Sequence, residues 1–179
     1  MVQVPIAMQI FLPFKNLHFV QYFIRRKNIK NASDRLFILL NNDARNPEYF
    51  GAGKIEDSPD GRFEAMALFA AAYLSALGTK GALEKSIAQE LQSRIFKTFD
   101  QGLRELGVGD MAVGKRIRKL AESFYGRVIS YKECFLQSDL SKLTSKIALN
   151  VFGRSEINDF DVVLARQSMD TFARICGDY

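Results

Sequence analysis

After Pro59 the chain runs to its end at Tyr179 without another proline, and the four it has (Pro5, Pro13, Pro47, Pro59) all lie at or before that point. A proline inside a helix removes a backbone donor and clashes with the preceding turn, so 120 residues without one leave long helices unobstructed. Nowhere does the chain alternate apolar and polar residues between turn signals, as a half-buried strand does. The expected fold is all-α: a single compact bundle of about six or seven helices with a basic N-terminal arm. The boundaries expected are 1–31 for the arm and 32–179 for the helical domain.

The helices are read from periodicity and caps. Ser33 is placed to cap a helix reaching about Ala44, with Leu36, Phe37, Leu39 and Leu40 inward. Pro47 stops it, and residues 49–60, with Gly51, Gly53 and Pro59, form a loop. Asp60 is expected to cap a helix that ends at Gly78. Its stretch from Ala65 to Thr79 carries no charge, so it belongs at the centre of a bundle. A helix from about Ala82 to Arg104 repeats an apolar residue every four positions: Leu83, Ile87, Leu91, Ile95, Phe99 and Leu103. Further helices are expected over about 113–135, 140–152 and 158–175.

The cysteine and histidine content narrows the chemistry. Cys134 and Cys176 stand far apart with no CxxC pair, which excludes a disulfide scaffold and a thiolate-rich zinc site. His18 is the sole histidine, so histidine-based dyads, triads and multi-histidine metal centres have almost nothing to build on. A lone cysteine on an amphipathic helix is more often a small core residue than a nucleophile. No cofactor, metal or small-molecule substrate is expected.

Charge is distributed unevenly. Residues 1–30 hold Lys15, Arg25, Arg26, Lys27 and Lys30 and no acid, while the rest balances at 20 bases and 20 acids. The net charge of +5 therefore belongs to the arm. The arm is also apolar from Met1 to Phe14, yet Pro5, Pro13 and Lys15 keep it short of the ~20 residues a spanning helix needs. It has neither the charged start and small-residue cleavage site of a secretory signal nor the composition of a mitochondrial presequence. A short helix carrying Leu17, Val20, Phe23 and Ile24, followed by Arg25-Arg26-Lys27, fits an anionic membrane interface. Packing on the protein's own core is the alternative. Phe23, Arg25, Arg26 and Lys27 are the candidate membrane-interface residues.

The most informative stretch is 99–127. At 100° per residue, Val113, Ile117, Leu120, Phe124, Val128, Tyr131 and Phe135 share one face, and Lys115, Arg116, Arg118 and Lys119 the other. Four cations without an acid among them repel one another unless solvated or paired. The face is therefore either simply solvated or a docking strip for RNA phosphate, lipid or an acidic protein surface. A helical RNA- or ribosome-binding module is the alternative function this strip supports. Gly126 inside the helix costs about 1 kcal/mol relative to alanine, and the expected compensation is a backbone pressed against another helix. Gly107 and Gly109 predict a tight, partly left-handed turn, with Asp110 capping the next helix.

These residues resemble a known family. Phe99-Asp100, Leu103-Arg104-Glu105, Gly107-Val108-Gly109-Asp110, Val113 with Lys115-Arg116, and Ala121-Glu122 with Phe124-Tyr125-Gly126-Arg127 are similar to the ubiquinol–cytochrome c chaperone family of alphaproteobacteria and mitochondria. Asp60-Gly61-Arg62-Phe63 and Asn150-Val151-Phe152-Gly153 add to the likeness, which spans roughly 33–153. The resemblance implies an all-helical, non-catalytic assembly chaperone for respiratory complex III. It implies binding of newly made cytochrome b apoprotein before haem insertion, with the ribosome or a small helical protein as further partners. Asp110, Lys115, Arg116, Arg118, Lys119, Glu122, Tyr125 and Arg127 form the candidate partner-binding set. The location implied is cytoplasmic and peripheral to the bacterial inner membrane, or else the matrix side of the mitochondrial inner membrane.

Overall fold

The computed structural model describes residues 17–178 apart from Val108, and gives only the backbone for residues 17–20, Asp110 and Met111. The apolar stretch Met1–Phe14, the side chain of His18 and that of Asp110 lie outside the described residues. Six α-helices make up the described part: α1 Leu17–Ala44, α2 Pro59–Gly78, α3 Ala82–Glu105, α4 Asp110–Gln137, α5 Leu140–Phe152 and α6 Asp159–Asp178. A 3₁₀ turn, Pro47–Tyr49, and a bridge between Phe50 and Ile55 shape the loop before α2.

The central helix is α2, which packs against each of the other five. Twelve of its residues are buried, among them Ala65, Ala67, Ala70, Ala71, Ala72 and Ala76. Small side chains around the helix let five neighbours approach it closely, as an apolar, uncharged sequence requires. Buried Leu36, Leu40, Leu91, Phe124, Tyr131, Phe135, Ile147 and Leu164 complete the core from the surrounding helices. Tyr73 donates to Asp43 Oδ2 at 2.5 Å, and Arg174 donates to the same oxygen at 2.5 Å, joining α1, α2 and α6. Burial, with the Asp43 carboxylate beside it, pushes the Tyr73 phenol well above the ordinary tyrosine range.

Several local expectations are corrected. No helix begins at Ser33: α1 runs straight through it, and Ser33 is buried with its hydroxyl unpaired. The reason is an unbroken stripe in which Ile29, Ser33, Leu36, Leu40 and Ala44 follow one another at helical spacing against the core. Leu39 falls off that stripe and is exposed. Ser58, not Asp60, caps α2: its hydroxyl accepts from Gly61 N at 3.2 Å, and Pro59 takes the first helical position. Along α3, Ile87, Leu91 and Ile95 are buried, but Leu83 at the start is exposed. The α3–α4 turn has Gly107 in the left-handed region at φ +75°, whereas Gly109 is extended at φ −62° and is itself the N-cap of α4. Asp110 is the first residue of the helix rather than its cap.

Glycine 126 also departs from expectation. It is exposed, and a Cβ built on it meets nothing within 4 Å. The close backbone approach is instead at Gly61, where a Cβ would be driven into the backbone carbonyl of Glu56 against Ile55. The two alanine variants should therefore move in opposite directions. Gly126→Ala should stabilise by about 1 kcal/mol through helix propensity, and Gly61→Ala should destabilise by about 1–3 kcal/mol through overpacking. Thermal melts of both variants check this, and a lowered melting temperature for Gly126→Ala would contradict it.

Candidate functional site: the outer face of α4

The inner face of α4 is set by Val113, Phe124, Tyr131, Cys134 and Phe135, all buried, with Ile117, Leu120 and Val128 half-buried. That anchoring fixes what points outward. Lys115, Arg116, Arg118 and Lys119 are all exposed, and among the described residues none of them forms an ion pair. Glu122 and Tyr125 continue the exposed surface one and two turns on. The Tyr125 ring leans on Phe96 of α3 at 5.7 Å, which holds its position at the edge of the face.

Arg127 is placed differently from the rest of the expected set. Its guanidinium is half-buried and forks onto Glu64 of α2, Nε to Oε2 and Nη2 to Oε1 at 2.8 Å each. A third contact reaches the carbonyl oxygen of Asn150 on α5 at 3.4 Å. Such a bidentate pair is directional as well as strong. Residues from Phe-Tyr-Gly-Arg, from the segment after Asp-Gly-Arg-Phe and from Asn-Val-Phe-Gly thus meet at one joint. Phe63 and Phe99 extend the convergence, their rings 5.5 Å apart.

Beside this joint a cleft of about 470 Å³ opens between the end of α1, the start of α2, the second half of α3 and Leu120 of α4. Phe37, Phe63, Met66, Ile95, Phe99 and Leu103 form its apolar wall, while Arg45, Asp60 and Glu105 also line it. The cleft was not legible in the sequence, because its wall is assembled from four elements. The expected membrane-interface residues Phe23, Arg25, Arg26 and Lys27 lie on another helix, α1, and all four are exposed there. Among the described residues no helix is long and apolar enough to cross a membrane.

Candidate reactive groups have little to work with. Burial pushes the Cys134 thiol up, away from the nucleophilic thiolate. Among the described residues no three His, Cys, Asp or Glu side chains are grouped to hold a metal ion.

The sequence profile described as ubiquinol-cytochrome C chaperone matches residues 52–176, most of α2 to α6 and the loop before them. The chain belongs to the ubiquinol–cytochrome c chaperone family. Membership makes it a chaperone of complex III assembly, with a protein as its partner in that process. The fold agrees: the chain is similar to the crystal structure of the Cbp3 homolog from Brucella abortus, with 26% identity, a TM-score of 0.76 and coverage of 90% of each chain. No curated protein matches the chain. In this chaperone the residues that carry the sequence resemblance divide into two kinds. Phe124, Arg127, Phe63 and Phe99 hold helices together, whereas Lys115, Arg116, Glu122 and Tyr125 face outward.

Proposed function

We propose that this chaperone binds newly made cytochrome b and holds it until haem insertion and assembly into complex III. Family membership supplies the process, and one observation supports this choice of surface: four exposed cations on α4 with no ion pair among the described residues. Like charges at i, i+3 and i, i+4 cost a helix a few tenths of a kcal/mol per pair, a cost that an acidic partner reverses. The docking set is Lys115, Arg116, Arg118, Lys119, Glu122 and Tyr125, with Asp110 at the head of the helix, and Arg127 holds α4 in position through Glu64. Phe23, Arg25, Arg26 and Lys27, exposed on α1, keep the chaperone at the anionic membrane surface where cytochrome b inserts.

The test is a variant in which Lys115, Arg116, Arg118 and Lys119 are all glutamine. It should melt at or slightly above the parent temperature, because the four side chains are exposed and the substitution relieves like-charge repulsion. In a deletion strain it should fail to restore cytochrome b. Normal cytochrome b levels with the quadruple variant would remove the assignment of cytochrome b docking to this face.

A further inference from the structure

Residues three and four apart along α4 trace one line down the side opposite the core: Lys115, Lys119, Glu122, Gly126, Ile129, Glu133 and Leu136. The line changes character half-way. Its first part is cationic, and its second carries an open glycine followed by Ile129, which is 71% exposed and the most exposed of the large hydrophobic residues among those described. Tyr125 and Leu136 are exposed beside it. A glycine in mid-helix weakens the helix, and nothing in the described chain comes close enough to Gly126 to require one. What it leaves is a dent on the outside, next to an isoleucine and a tyrosine. A dent in a helix flanked by exposed apolar side chains lets a second helix cross at short range.

We infer that the outer face of α4 seats a single α-helix of a protein partner, apolar where it crosses Gly126 and Ile129 and acidic where it runs beside Lys115, Arg116, Arg118 and Lys119. This rests on the reading of α4 as a protein-docking face, and it adds the shape and chemistry of what docks. Two features of the face favour a protein helix over other anionic partners. Glu122 stands between the cations and Gly126, so a phosphate backbone following the line would meet a carboxylate there. A lipid surface covering Ile129 and Tyr125 would draw Glu122 towards the hydrocarbon, which is costly for a charge. A helix with matched polar positions meets neither penalty. Glu133 is already engaged, accepting from Lys142 Nζ of α5 at 3.0 Å, so it lies neutralised at the margin of the seat.

The experiment is fluorescence anisotropy with the full chain and two synthetic helical peptides. Both have an alanine-and-leucine seam, and one carries four glutamates over its first half where its twin carries four lysines. The acidic peptide should bind, and the lysine twin should bind at least 10-fold more weakly. Gly126→Leu fills the dent and should weaken the acidic peptide at least 10-fold without lowering the melting temperature, since the added side chain meets open space. The quadruple glutamine variant should weaken it comparably. No binding of the acidic peptide, or equal binding by Gly126→Leu, would overturn the inference. So would binding of single-stranded RNA or phosphatidylglycerol vesicles that survives Gly126→Leu while the acidic peptide does not bind. Peptide binding together with normal cytochrome b in the quadruple variant would sink the cytochrome b reading and leave the helix seat standing.

Discussion

Replacing Phe124 by alanine will cost this chaperone about 3–5 kcal/mol, the usual range for emptying a buried phenylalanine site. Phe124 is fully buried in the middle of α4, and its ring meets Phe96 at 5.3 Å and Phe99 at 6.1 Å, both steeply inclined. Phe99 in turn meets Phe63 of α2 at 5.5 Å, so one ring joins three helices. Edge-to-face rings add about 0.5–1.5 kcal/mol per pair beyond the area they bury, and three such pairs, counting the one with Tyr125 at 6.1 Å, vanish with the side chain. The neighbours are themselves large and ring-shaped, so they collapse poorly into the space left behind. Against a total stability of about 5–15 kcal/mol, the variant should melt some 6–20 °C lower. It should lose function through loss of fold, unlike the quadruple glutamine variant. A melting temperature within 2 °C of the parent, to use the low end of the per-kcal/mol shift for a chain of about this length, would show that the cluster does not hold the bundle.

Asp161→Ala should be nearly as damaging, by about 3–5 kcal/mol, because it removes one partner of an ion pair with a buried carboxylate. Asp161 is 0% exposed. Its two oxygens accept from Arg154 Nη1 and Nη2 at 2.8 Å each, and Oδ2 also accepts from Asn158 N at 2.9 Å. Asp161 N donates back to Asn158 Oδ1 at 3.0 Å, which completes a reciprocal cap on the first turn of α6. The Arg154 guanidinium lies over the Phe152 ring at 4.8 Å, so losing the carboxylate also frees the arm that folds the α5–α6 corner. The control is Asp57→Ala. Its pair with Arg62 has both side chains more than half exposed, where measured contributions run from about 0 to 1 kcal/mol. Equal denaturant midpoints for the two variants would show that burial does not separate the pairs.

The course of the helices could be read from the sequence where a periodic apolar pattern was bounded by glycine or proline. α3, α5 and α2, which is uncharged from Ala65 onward, are of this kind, and Gly153 ends α5 in the left-handed conformation. Caps were harder. Ser33 and Ser58 are both serines ahead of apolar runs, and only the tertiary stripe through Ile29 and Leu36 makes the first a mid-helix residue. The glycines mislead for a related reason: whether Gly61 or Gly126 faces a neighbour depends on chain segments that propensity does not see. On α4 the outward direction of the four cations followed from the wheel alone. That Arg127 would turn inward to Glu64, 63 positions away, did not. Asn158 and Asp161 carried a capping signature that could have been read three residues apart, but the partner that makes it a buried ion pair, Arg154, lies outside the helix.

The alanine-rich surface of α2 has a consequence for how the chain comes into being. The helix is complete at Gly78, yet the last of the five helices that cover it ends about 100 residues later, at Asp178. At about 5–20 residues per second, translation leaves a helix that is apolar on every side without its full cover for roughly 5–20 s. During that interval the nascent chain presents the kind of surface that invites aggregation. A chaperone of complex III assembly thus passes through an exposed state of its own, and its yield should fall most steeply when synthesis stalls between α2 and α6.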